Sequence, residues 1–200
     1  MTMLFNTFIL IVVLQVCRIH GFPKLNSCQQ RYKYYTRTDW EALPASYVTP
    51  LVTPVPNVVI HHTYKPDACT THQECIQAMK SMQAYHQSLD WGDIGYNFCV
   101  GNSGDVYEGR GWEVKGIHAG PANGVSIGIC LIGDWRVNQP PKDMLEATKS
   151  LIETGIKQGY IKPDYKLVGH KQVMATECPG TALFNIISKW DHFSNKFSVI

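Results

Sequence analysis

No heptad run, internal repeat or low-complexity tract passes through the 200 residues, which excludes a coiled coil, a solenoid or a disordered tail as the basis of the protein. Charge is sparse, at 17% of residues, and neither sign dominates: 18 Lys and Arg against 16 Asp and Glu leave a formal net charge of +2. So small an excess gives no support for nucleic acid or an anionic membrane as the main partner. The compact metal motifs HExxH and CxxC are missing. Only one long apolar run occurs, so no second segment offers itself as a membrane anchor for the mature chain.

That one run lies at the start. Residues 4–16 (LFNTFILIVVLQV) are almost wholly apolar, too short to span a bilayer comfortably but suited to the core of a signal peptide. The residues before them hold no Lys or Arg, and no A-x-A site follows, so the cleavage point stays open near Gly21. A buried N-terminal helix is the alternative, but terminal placement and lack of periodicity favour secretion. The reading is a signal peptide over 1–21, then one soluble, extracellular domain over 22–200. A composition of 44% hydrophobic residues suits a globular chain able to bury a real core. Cys69 and Cys75 flank a short polar loop, and in a secreted protein they are expected to be bridged. Cys99 and Cys130 read as core thiols in buried strands.

Asn57-Val58-Val59-Ile60 is an apolar run ending in His61-His62, a buried strand with the histidines at its C-terminal end. Thr71-His72-Gln73-Glu74 has capping-box spacing, and Ile76, Met79, Met82, Tyr85, His86 and Leu89 continue at helical spacing. Residues 95–100 and 105–108 read as strands joined by the turn Gly101-Asn102-Ser103-Gly104, and 126–132 as another buried strand. Pro140-Pro141 opens a helix with the stripe Met144, Leu145, Thr148, Leu151, Ile152 and Ile156, stopped by Gly159. Residues 166–169 form a short strand leading into His170, and Leu183, Phe184, Ile187 and Trp190 mark a last helix. Strands interspersed with three helices make an α/β domain, a central sheet covered by helices.

His61, His170 and Cys178 stand out as possible zinc ligands. Catalytic zinc takes three protein ligands and keeps one position open, and strand ends at one sheet edge can supply them. His61 and His62 are neighbours in a strand and should not both face one metal. From spacing alone two other readings remain: structural histidines with a buried or disulfide-bonded Cys178, or a Cys178 nucleophile with a nearby histidine.

VVIHHT, MQAYHQ, DIGYNF, VYEGRGW, SIGICLIGDW, LVGHKQV and TECPGTALF occur in the order typical of peptidoglycan recognition proteins. The chain resembles that family, itself similar to phage amidases of the T7 lysozyme type, from about Cys28 to His192. GDWRVNQPPKDML and GYIKPDYKLVGH are closest to the catalytic insect branch. The resemblance implies a central mixed sheet flanked by helices, with a long groove over a zinc site. It implies an N-acetylmuramoyl-L-alanine amidase that binds bacterial peptidoglycan, acts in innate immunity and works as a monomer. Residue by residue it makes His61, His170 and Cys178 the Zn2+ ligands, and Tyr96 the hydroxyl beside the metal. Thr176 matches a further position of the catalytic site. His62, His86, Tyr96, His118 and Asn123 match contacts to the muramyl peptide. Relatives with Ser in place of Cys178 lose zinc and act as receptors, so a non-catalytic receptor is the rival reading. Trp112 is expected as groove wall or core. The Glu113-Val114 pair matches neither common signature for the third stem residue, and the insect branch tips the expectation toward diaminopimelate-type peptidoglycan. A bridge from Cys28 to the middle helix, found in many relatives, is put in doubt by Thr154.

Overall fold

The computed structural model of the protein describes residues 32–198. The expected signal peptide over 1–21, its cleavage point and the state of Cys28 lie outside them. In chain order the elements are β1 (Tyr34–Tyr35), β2 (Val55–His62), α1 (His72–Ser88), β3 (Phe98–Val100), β4 (Val106–Glu108), β5 (Ser126–Leu131), α2 (Lys142–Lys157), β6 (Ile161–Gly169) and α3 (Thr181–Ile187). The strands form one sheet in the order β1-β4-β3-β5-β2-β6. β3 and β4 are antiparallel and all other neighbours are parallel, which is the mixed sheet expected. No helix among the described residues is long and apolar enough to cross a membrane.

Helices cover both faces, so the central strands β2 and β5 are buried along nearly their whole length. Alternation divides their side chains between two cores. Val58, Ile60, Phe98, Ile127, Ile129 and Leu131 pack with Met144 and Leu151 of α2 and with Leu183 and Ile187 of α3. On the other face Cys99, Cys130 and Ile132 meet Met79 and Met82 of α1. His61 pairs in register with Cys130, and Val59 with Gly128, so all four positions belong to the α1 face.

α1 begins where the capping box placed it: the Thr71 hydroxyl accepts the Glu74 N–H and the Glu74 carboxylate accepts the Thr71 N–H. Its apolar stripe is narrower than expected, because Tyr85 and Leu89 are exposed. α2 ends on Gly159, whose φ of +78° is the left-handed turn that favours glycine. β6 begins earlier than its sequence suggests. Its pairing with β2 skips from Val55–Ile161 to Asn57–Lys166, and the bulge accommodates Pro163 within a strand. The two-residue β1 went unforeseen in a stretch of turns and prolines. α3 stops at Ile187, and Trp190 follows in a turn whose N–H bonds Ile187 O.

Cys69 and Cys75 are joined as a disulfide, with Cα atoms 5.1 Å apart. Cys99 and Cys130 are free, buried thiols. Trp112 belongs to the core rather than the groove: it packs on Phe98 and stacks on Tyr160 with centroids 5.3 Å apart.

Candidate metal centre

Three chain segments meet at the C-terminal edge of β2. His61 comes from the strand itself, on the α1 face. His170 starts the turn that follows β6. Cys178 sits in the loop before α3, which is docked twice: Lys171 N–H bonds Cys178 O at 2.8 Å, and Leu183 N–H bonds Trp135 O at 3.2 Å. Gly180 makes that docking possible, since a Cβ there would lie 2.4 Å from the Trp135 carbonyl, and its φ is +89°.

One ligand atom from each of His61, His170 and Cys178 lies within 4.8 Å of the others. Cys178 Sγ is 3.7 Å from His61 Nδ1 and 3.4 Å from the His62 backbone N, whose N–H it accepts. His170 Nε2 is buried with no hydrogen-bond partner among the described residues. Two imidazoles, one with an orphaned ring nitrogen, and one thiol are a donor set that fits zinc. Burial, with the neighbouring histidines, drives the His61 pKa well below its ordinary value, and burial lowers His170 to about 4. Both are therefore neutral ligands at physiological pH. Burial raises the Cys178 thiol to about 12, so a cation must displace its proton.

His62, the alternate neighbour, does not join this set. Its Nδ1 accepts the Trp135 N–H at 3.2 Å and lies 3.9 Å from Asp134. The Tyr96 ring sits 5.3 Å from that of His61, and burial pushes its phenol well above the usual value, so it stays a donor. Thr176 Oγ1 accepts the Cys178 N–H at 3.2 Å.

One cavity opens on this centre and a second adjoins it, the two sharing Tyr64 and Tyr96. The first, of about 460 Å³, is of mixed polarity, with His62, Arg136, His170, Thr176, Glu177 and Cys178 around it. The other, of about 510 Å³, is mainly apolar, walled by Pro66, Met82, Tyr85 and His86. His86 accepts the Gly95 N–H on Nδ1 at 3.0 Å and stacks on Trp91, and burial brings its pKa to about 4. It is neutral, with its proton on Nε2. Tyr64, Tyr85, Arg136 and Glu177 were not singled out in the sequence. The exposure of Tyr85 on an otherwise core-facing stripe is the signal that could have found it.

His118 and Asn123 line neither of these two cavities: His118 Nδ1 is 3.0 Å from His61 Nε2, and Asn123 Oδ1 accepts the backbone N–H groups of His118 and Ala119. Glu113 and Val114 pair with the 50–51 segment and border neither cavity. Gly124-Val125-Ser126-Ile127-Gly128 has the spacing of a nucleophile elbow, yet Ser126 opens a strand, is fully buried and donates to Ala122 O.

The family model described as N-acetylmuramoyl-L-alanine amidase matches residues 51–181, a span that holds all three candidate ligands. The chain is 49% identical over 161 residues to peptidoglycan-recognition protein LB of Drosophila melanogaster, covering 80% of this chain and 69% of that protein. This chain belongs to the peptidoglycan recognition protein family. Among solved structures, a mutant of Drosophila PGRP-LB in complex with tracheal cytotoxin superposes with a TM-score of 0.81 at 47% identity, over 84% of this chain and 100% of that one. PGRP-LE, in complex with the same ligand described as monomeric diaminopimelic acid-type peptidoglycan, gives 0.78 at 38%, over 80% and 95%.

Proposed function

We propose that this protein is a zinc-dependent N-acetylmuramoyl-L-alanine amidase that binds bacterial peptidoglycan. It hydrolyses the amide between the muramyl lactyl group and L-alanine of the stem peptide. The carrying observation is the convergence of His61, His170 and Cys178 within 4.8 Å at the meeting of two cavities. Zinc, when bound, supplies the Lewis acid that activates water and polarises the carbonyl. The chain's own residues do the rest. His61 and His170 offer neutral ring nitrogens, and Cys178 offers a thiolate once its proton has left. Tyr96 holds a phenolic proton beside them, placed to donate to the carbonyl oxygen as it gains charge. The apolar cavity seats the substrate and keeps water from the reacting carbonyl, while His86 gives a polar contact within it and His62 one in the adjoining cavity. Water adds to the carbonyl carbon, the C–N bond breaks, and the products are a lactyl carboxylate and a free L-alanine amine.

Complexes of PGRP-LB and PGRP-LE with tracheal cytotoxin support a muropeptide ligand and favour the diaminopimelate type. The rival receptor reading loses ground because the cysteine ligand is present. A cysteine nucleophile is disfavoured because burial keeps the Cys178 thiol protonated and His61 neutral, with no ion pair to activate attack. The apolar segment 4–16 and the Cys69–Cys75 disulfide support secretion. Digestion of a diaminopimelate-type muropeptide, followed by mass analysis, tests the activity. Release of a stem peptide with a free L-alanine amine is expected, and an intact substrate would leave only the receptor.

A further inference from the structure

We propose that His118 is a positioning residue of the metal centre, the acceptor that fixes the tautomer and the ring orientation of His61. This rests on the zinc reading above. The atom of His61 turned toward Cys178 is Nδ1, and the atom turned away is Nε2, 3.0 Å from His118 Nδ1. An imidazole that ligates through Nδ1 in its neutral form carries its proton on Nε2. That proton points at His118, which must accept it on Nδ1. Acceptors of this kind on ligand histidines are usually carboxylates or carbonyls, and they hold the ring in place and make it a better donor to the metal. Here the acceptor is a second, neutral imidazole.

The surroundings are shaped for that ring. A Cβ on Gly128 would lie 2.6 Å from His118 Cγ, and one on Gly116 would lie 2.4 Å from its Cδ2. Gly128 sits on the same sheet face as His61, one register step from Cys130, so the bare backbone of β5 is what lets the imidazole lie beside β2. Asn123 fastens the loop from below, accepting the His118 and Ala119 N–H groups at 2.9 and 2.7 Å. The His118 side chain is buried and lines neither cavity of the groove. Its contact with His61 is the route by which it acts on the metal centre.

The test is zinc affinity, measured by competition with a chromophoric chelator, on wild type, His118→Ala, His118→Asn and His118→Gln. Muropeptide binding by the zinc-free proteins is measured in parallel. An Asn side chain can place its oxygen near the former Nδ1, whereas Gln places its own near Nε2. His118→Ala and His118→Gln should each bind zinc about 10- to 100-fold more weakly, the scale for loss of a ligand's outer partner, with His118→Asn recovering most of it. Should the Ala variant not fold, shown by loss of its thermal transition, the Asn–Gln comparison decides alone. Equal zinc affinity in wild type and the folded variants overturns the proposal, as does weakened muropeptide binding with zinc affinity intact. Failure of the wild type itself to bind zinc would instead overturn the amidase reading.

Discussion

The Sγ of Cys178 and the Nδ1 of His61 face each other at 3.7 Å, yet they are not an acid–base pair. Burial keeps the thiol protonated and the imidazole neutral, so neither activates the other. Under the proposed zinc reading, these two uncharged donors belong to one chelating set.

Replacement of Cys178 by Ser follows from that geometry. A serine hydroxyl is a poor zinc ligand, so the variant should lose zinc and hydrolysis together. The fold and muropeptide binding should survive, because the groove walls at Tyr64, Tyr85 and His86 are untouched. Retained turnover in Cys178→Ser, measured by product mass, would contradict the ligand assignment.

Tyr96→Phe separates chemistry from binding. The ring keeps its place beside His61 and only the hydroxyl goes. Turnover should fall by about 10²- to 10³-fold, as on removal of one oxyanion donor, while muropeptide affinity and zinc content change far less. Equal losses in affinity and turnover would make Tyr96 a groove contact instead.

Acid should destabilise the zinc-free protein through its buried histidines. His86 and His170 have folded-state pKa values of about 4, below the ordinary 6.5 of an unfolded chain. Above 6.5 both states are neutral and the stability is fully present. Between 6.5 and about 4 the unfolded chain takes up protons that the folded one refuses, so stability falls as pH falls. Urea midpoints from tryptophan fluorescence should drop between about pH 7.5 and about pH 5, and unchanged midpoints would refute the burial argument.

Gly101 is tied to the disulfide. A Cβ there would lie 2.6 Å from Cys75 Sγ and 3.3 Å from Cys69 Sγ. Gly101→Ala should cost about 1–3 kcal/mol of unfolding free energy. The same change in a Cys69→Ala, Cys75→Ala background should cost much less, because the clash is gone. Additive losses in the double-mutant cycle would show that the glycine serves the turn alone.

Much of this was legible in the sequence, for identifiable reasons. The apolar run into His61-His62, the capping box at Thr71 and Glu74 and the helix stop at Gly159 are local signals, and local chemistry decided those elements. The bulge around Pro163 and the two-residue β1 depend on pairing with distant strands, which local patterning does not carry. The cluster of His61, His170 and Cys178 was recognisable through its motifs, but the contact of His118 with His61 was not. Its bond to His61 arises from β5 lying beside β2 and from Gly128 leaving room on that face, and neither fact can be read from the residues around His118.

The most direct test of the central claim is muropeptide hydrolysis by the purified protein before chelation, after chelation and after zinc is restored. The account predicts about one zinc per chain, activity lost with the metal and regained with it, and a chelated protein that still binds muropeptide. Hydrolysis that persists in protein shown to be free of metal would contradict it.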